Sequence, residues 1–202
     1  MLNIMITGVG GQGTVLAAKL LAQAAEARNW RVRTAETIGM AQRGGSVVSH
    51  VRLANQGESC VDAPLIARGE ADLIIAFEPA EAVRCLSYLR PGGALVSATS
   101  SVQPVTAALS REAYSAGPFL DYLKQAVPGC LLVDDAALIE QIGSPKALNV
   151  ALLASAIAIS DLGITVEELR DAMHASVRPQ FIALNDRAID VAVASVSDHA
   201  SR

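Results

Sequence analysis

A short apolar run, Leu2 to Thr7, leads straight into Gly8-Val9-Gly10-Gly11-Gln12-Gly13. The residues that follow, Thr14 to Arg28, are strong helix formers with Leu16, Leu20 and Leu21 at helical spacing. Few folds can use that order. A strand has to end in a loop too tight for side chains, and a helix has to start at once with its free N–H groups over the strand end. Gly8-x-Gly10-x-x-Gly13 matches the spacing of a dinucleotide-binding fingerprint in its required strand-to-helix setting. Glu36, near the end of the next strand, stands where a ribose-binding acid would sit. Two readings stay open: the glycines contact a ligand, or they only let the first helix pack tightly on the sheet. Gly11 and Gln12 are not explained by the dinucleotide fingerprint. A dehydrogenase would also need an acid/base residue, and the sequence offers no convincing one. His50 lies in an apparent strand, His174 in a helix and His199 in the tail, and each reads as a surface or packed histidine.

Beyond the first helix, Trp30 to Ala35 alternates apolar and polar residues as a second strand. An irregular glycine-rich stretch from Thr37 to Ser46 precedes a third, Val47 to Leu53. Ala71 to Phe77 is a nearly continuous apolar run, suited to a parallel strand covered on both faces. Pro79 opens a helix expected to reach about Leu89, where Pro91-Gly92-Gly93 stops it. Ala94 to Ala98 reads as a strand, Pro118 to Ala126 as a helix and Leu131 to Val133 as a short strand ending at Asp134-Asp135. Lys146 to Asp161, Thr165 to Ser176 and Pro179 to about Val196 read as helices, the second opened by a Thr165–Glu168 capping box. This order predicts an α/β fold: a Rossmann-like, mainly parallel sheet flanked by helices, with a helical C-terminal region. Residues 1–196 are expected to form one domain and 197–202 a frayed tail.

Composition narrows the function classes. The 16 Lys and Arg against 20 Asp and Glu leave a net charge of −4 and no basic stripe for nucleic acid. The N-terminus lacks the charged start of a signal peptide. The longest strongly apolar run, Val150 to Ile159, falls short of the roughly 18–20 residues of a membrane span. The expectation is a cytoplasmic protein with no membrane partner. Cys60, Cys85 and Cys130 stand too far apart for a local zinc or iron–sulfur site and read as free thiols.

Four blocks carry a resemblance. Gly8-Val9-Gly10-Gly11-Gln12-Gly13-Thr14 resembles the start of the gamma domain of the 2-oxoacid:ferredoxin oxidoreductase family. Glu36-Thr37-Ile38-Gly39-Met40-Ala41-Gln42-Arg43-Gly44-Gly45-Ser46 is similar to the Arg-Gly-Gly turn of its indolepyruvate branch. Pro64 to Asp72 with Phe77-Glu78-Pro79, and Lys146-Ala147-Leu148-Asn149, resemble further family blocks, as does Asn185 in its Phe-x-x-Leu-Asn setting. The likeness covers about residues 1 to 190. One departure is Leu153-Ala154, where the family would place Leu-Gly.

The resemblance implies a subunit that carries no cofactor of its own. A larger partner would hold thiamine diphosphate and 4Fe–4S clusters and pass electrons to ferredoxin. Coenzyme A would be the cosubstrate in the oxidative decarboxylation of an aryl 2-oxoacid such as indole-3-pyruvate. Candidate ligand contacts are Gly8, Gly10, Gly11, Gln12, Gly13, Thr14, Arg43, Gly44, Gly45, Lys146 and Asn149. Arg43 is the sharpest of them, because its planar fork suits a phosphate or carboxylate, against the alternative of a subunit salt bridge. Arg68, Glu70 and Glu78 are weaker candidates, and no catalytic residue is expected. Two readings from other classes remain: a stand-alone NAD-dependent dehydrogenase and a non-enzymatic nucleotide-binding module.

Overall fold

The computed structural model describes residues 1–39, 44–55, 57–58, 63–103 and 114–200. The elements run β1 (Leu2–Val9), α1 (Thr14–Ala27), β2 (Arg31–Ile38), β3 (Ser46–Ala54), β4 (Ala71–Ala76), α2 (Pro79–Cys85), β5 (Leu89–Ala98) and α3 (Gly117–Ala126). They continue with β6 (Leu131–Val133), α4 (Asp135–Ile142), α5 (Leu148–Ile159), α6 (Val166–Ser176) and α7 (Ile182–Ala200). The strands form one sheet in the order β2-β3-β1-β4-β5-β6. β1, β4, β5 and β6 run parallel, as their apolar runs require, while β3 lies antiparallel to both β1 and β2. This is an α/β fold with a mixed sheet.

Four details differ from the sequence reading. α2 ends at Cys85 and gives way to a 3-10 turn, Leu86–Tyr88. β5 then starts at Leu89 and carries Pro91-Gly92-Gly93 within it, because the ladder with β4 slips between Ala71 and Leu73 and the extra residues loop out of register. α4 was not expected at all. Its signals were present: Asp134 accepts a hydrogen bond from Ala137 N, and Gly143 ends the helix. The expected capping box does form, Glu168 Oε2 accepting from Thr165 N at 2.7 Å and Thr165 Oγ1 from Glu168 N at 3.2 Å. α7 runs on to Ala200, past the expected end at Val196.

One sheet face packs on α1 and α5, with α6 and α7 outside them, around Ile4, Ile6, Leu20, Leu21, Val51 and Ile75. α5 is buried from Asn149 to Ile157, which explains why it is apolar all round rather than on one stripe. No single helix among the described residues is long and apolar enough to cross a membrane. The other face packs on α2 and α3 through Met5, Ile74, Leu95 and Leu123. There His50 lies under the segment before β4, its Nδ1 accepting from Ile66 N at 3.2 Å. Burial pushes its pKa below the ordinary value.

The sign of the pH effect follows. The unfolded imidazole takes up a proton below about pH 6.5, and the folded one resists until lower pH. Stability is therefore full above that point and falls as the medium is acidified toward the folded pKa. Urea unfolding at pH 7.5 and 5.5 is expected to show a larger acid loss for the native chain than for His50→Gln, whose amide oxygen can still accept from Ile66. The ceiling is about 1.4 kcal/mol per pH unit. Equal losses in the two proteins would show that His50 is not the group responsible.

Candidate functional site

The C-terminal edge of the parallel strands is where loops gather. Chain connections leave β1 toward β2 on one side and β4 toward β5 on the other, so the β1/β4 boundary is the switch point at which ligands bind in open sheets. The glycine loop occupies it. Phe77 N still donates to Thr7 O at 2.8 Å, and beyond that pair the two strands part. Gln12 fills the gap. Its Oε1 accepts from Val9 N at 2.7 Å and its Nε2 donates to Phe77 O at 2.8 Å. One side-chain amide thus stands in for a peptide group between the strands. Gly8 is required for this fit, since a Cβ there would lie 2.8 Å from Gln12 Oε1 and 3.0 Å from Phe77 Cβ.

Gly13 is the N-cap of α1, with φ 84°. A Cβ there would fall 2.7 Å from Asn149 Nδ2, and that amide donates to Gly13 O at 3.3 Å. Asn149 and Gln12 therefore spend hydrogen bonds on holding the loop. The first turn of α1 has no side-chain cap and no acidic residue, which leaves its positive end open to an anion. Thr14 is buried. Gly10 N donates to Gly45 O at 2.8 Å, which joins the glycine loop to the turn ahead of β3. Ser46 Oγ in turn donates to buried Glu81 Oε2 at 2.6 Å.

Two clefts flank the loop. The first, of about 520 Å³, brings Gly11, Gln12 and Gly13 together with Lys146 and Asn149, more than a hundred residues away in sequence. Leu16, Val102, Ile139 and Leu148 give it apolar walls. Lys146 is exposed, has no carboxylate within ion-pair distance among the described residues, and lies 6.0 Å from the Phe181 ring centroid. Asp135, from the unexpected α4, also lines this cleft. Its Oδ1 accepts from Thr99 N, Thr99 Oγ1 and Ser100 N at 2.8–3.2 Å and so fixes the end of β5. The second cleft, of about 480 Å³, lies across the loop between Gly10, Thr14, Val15, Ile38 and Val47.

The remaining candidates separate. Arg43 lies outside the described residues, while Gly44 and Gly45 follow it in the turn beside the glycine loop. Arg68 and Glu70 are exposed, and Glu70 O accepts from Asn3 Nδ2. Glu78 is buried and caps α2 by accepting from Glu81 N at 3.0 Å. It also accepts from Tyr114 OH at 3.0 Å, and burial together with that carboxylate pushes the phenol up to about 12. His174 pairs with Asp186 at 2.9 Å on α6 and α7. The side chain of His199 is not among those described.

The dinucleotide reading fails on one point of geometry. Glu36 lies on β2, which β3 separates from β1, so it is a further strand spacing of about 4.8 Å from the loop. A ribose-binding acid needs the strand adjacent to β1.

A glycine loop locked by its own glutamine, an uncapped helix start and an antiparallel strand beside β1 define a class of α/β domain distinct from the dinucleotide binders. Solved structures share the fold. The gamma subunit of a keto/oxoacid ferredoxin oxidoreductase from Geobacter sulfurreducens superposes with a TM-score of 0.70 at 18% identity, covering 98% of this chain and 99% of that one. A 2-oxoglutarate:ferredoxin oxidoreductase from Magnetococcus marinus, solved with 2-oxoglutarate, coenzyme A and succinyl-CoA bound, gives 0.68 at 16% identity. The likeness there covers 98% of this chain and 31% of that longer one.

The chain belongs to the pyruvate ferredoxin/flavodoxin oxidoreductase family, which it matches over residues 3–195. Among curated relatives, indolepyruvate oxidoreductase subunit IorB of Thermococcus kodakarensis is 35% identical over 97% of this chain and 96% of its own length. The same subunit of Archaeoglobus fulgidus is 34% identical over 93% and 92%.

Proposed function

We propose that this chain is the small subunit of an indolepyruvate:ferredoxin oxidoreductase of the cytoplasm, and that its glycine loop and Lys146 hold coenzyme A. The larger subunit would carry thiamine diphosphate and the 4Fe–4S clusters. The overall reaction takes an aryl 2-oxoacid and coenzyme A to the acyl-CoA and carbon dioxide, with two electrons passed to ferredoxin. The observation that carries the ligand assignment is the first cleft. It sets the Lys146 ammonium, which has no carboxylate partner among the described residues, beside the uncapped start of α1, with apolar walls between them. Phosphate esters bind to helix starts and lysines, and the apolar walls suit a nucleoside or pantetheine arm. The names of the relatives support the aryl 2-oxoacid.

In this reading the chain's residues position and bind rather than react. The α1 N–H groups and Lys146 neutralise phosphate charge, and Leu16, Val102 and Ile139 exclude water from the arm. Exposed Leu16 and Val102 beside the first cleft, and Val15 and Ile38 beside the second, form an apolar rim. The larger subunit would cover that rim and face the loop toward its thiamine.

Purified alone, the chain is expected to show no 2-oxoacid oxidation. Co-expressed with its partner, it should reduce ferredoxin or a viologen dye. In that complex Lys146→Ala should raise KM for coenzyme A roughly ten- to a hundredfold, the loss of one charge-assisted contact, with KM for the 2-oxoacid unchanged. Robust turnover by the isolated chain would sink the subunit reading. An unchanged coenzyme A KM would move the ligand away from this cleft.

A further inference from the structure

Among the described residues, β2 closes one side of the sheet and is paired only with β3. None of its eight residues is buried, whereas β3 is buried along most of its length. Long open edges invite pairing with another strand, and soluble proteins blunt them with proline, lysine, bulges or a covering element. Arg31-Val32-Arg33-Thr34-Ala35-Glu36-Thr37-Ile38 has no proline, glycine or lysine, and its register with β3 is unbroken over eight pairs. It is rich in β-branched residues and ends in Ile38, 61% exposed.

The ladder fixes which backbone groups face outward. Gly39 N donates to Ser46 O at 2.8 Å, so Gly39/Ser46 is a hydrogen-bonded pair, and antiparallel pairs alternate. Thr37, Ala35, Arg33 and Arg31 therefore bond to β3. Val32, Thr34, Glu36 and Ile38 turn their N–H and C=O groups out. The bond from Arg33 Nη1 to Val32 O at 3.1 Å agrees with that phase.

An added antiparallel strand must hydrogen-bond through these four residues, which leaves few registers for a second copy related by a two-fold axis. Centring on Glu36 sets two carboxylates face to face. Centring on Thr34 sets Val32 against Glu36. Centring on Ala35 sets Val32 against Ile38, Thr34 against Glu36 and Arg33 against Thr37, with no like charges opposed and the smallest side chain on the axis. Cross-strand pairing favours that match. We propose that two copies of this chain join along β2 in the register centred on Ala35, running their sheets into one. Arg33 would then release Val32 O to Ile38 N of the second copy. The pairing does not depend on which ligand the clefts hold.

A single pair of edge strands buries less than the roughly 1,200–2,000 Å² of a stable interface. The isolated chain should therefore dimerise reversibly with concentration, and the complex with its larger subunit should hold the pair together.

Cysteine cross-linking tests the register. In a chain with Cys60→Ser and Cys130→Ser, Cys85 being buried, Ala35→Cys should give a disulfide-linked dimer on mild oxidation, alone and in the complex. The opposed Cα atoms of a non-hydrogen-bonded pair lie about 4.5 Å apart, within disulfide range. Arg33→Cys and Thr37→Cys should not link separately but should link when mixed. Thr34→Pro removes an outward N–H without touching the β3 ladder. It should halve the mass seen by light scattering at high concentration, with an unchanged circular dichroism spectrum. Linking of Arg33→Cys to itself in place of Ala35→Cys would overturn the register. An Ala35→Cys thiol that the assembled complex protects from alkylation yet never links would show the larger subunit on this edge and overturn the proposal. So would an Ala35→Cys thiol that stays alkylatable and unlinked.

Discussion

Gly13→Ala is expected to destabilise the chain by about 2–3 kcal/mol and to abolish productive use of coenzyme A in the assembled enzyme. Two separate costs add. The first is conformational: φ is 84° at this position, and an L side chain in the left-handed region costs about 1–2 kcal/mol. The second is steric, because the new methyl would lie 2.7 Å from Asn149 Nδ2 and 3.3 Å from Asn149 Cβ. Asn149 is buried, so its amide has little room to retreat without losing its bond to Gly13 O, worth about 1 kcal/mol. Either response shifts the first turn of α1, the part of the loop assigned to phosphate.

Gly11→Ala is the control. It also has a positive φ, 106°, but nothing lies within 4 Å of a Cβ there. Urea unfolding should show only the conformational cost. The pair of costs at Gly13 can be separated with Asn149→Ala. If both act, Gly13→Ala should cost about 1 kcal/mol less in that background, a coupling typical of residues in contact. Strict additivity of the two substitutions would remove the steric part of this account.

What was legible in the sequence was local. The glycine cluster, the apolar runs of β1 and β4 and the Thr165–Glu168 capping box each depend on residues a few positions apart, and each stands where its pattern placed it. Strand order was not legible. Nothing in Trp30 to Leu53 states that β3 returns between β2 and β1, because that choice rests on pairings such as Ile4 with Val51 and Thr34 with Val51 across the fold. That one strand carries Glu36 away from the loop and undoes the dinucleotide reading. α4 was missed although Asp134 and Gly143 bracket it, and with it went Asp135 as a lining residue of the first cleft. The site was half legible. Lys146 and Asn149 were picked from their own block, but only the fold shows that Asn149 props Gly13 while Lys146, over the Phe181 ring, meets no carboxylate among the described residues.

Gln12 offers the sharpest test of how the loop is locked. It was chosen as a ligand contact, and the structure gives both ends of its amide to the backbone. Gln12→Glu has nearly the same shape but only acceptors. One carboxylate oxygen can still accept from Val9 N. The other then faces Phe77 O, a carbonyl with no hydrogen to offer, where the amide had donated at 2.8 Å. A lost bond, an unsatisfied part-buried carbonyl and the repulsion of two oxygens should cost about 2–3 kcal/mol at pH 7.5.

Acid should then repair the variant. Protonated, the carboxyl regains a donor for Phe77 O, so the folded form favours the proton and its pKa rises above the unfolded value of about 4.3. The folded state then binds more protons than the unfolded one, and stability rises as pH falls through the raised pKa. Unfolding of Gln12→Glu relative to the native chain, followed from pH 7.5 to pH 5, should show the deficit shrinking. The comparison with native protein removes the opposite trend expected from His50. A deficit that stays constant over that range would mean that Phe77 O is satisfied without Gln12. The loop lock would then rest on Val9 alone.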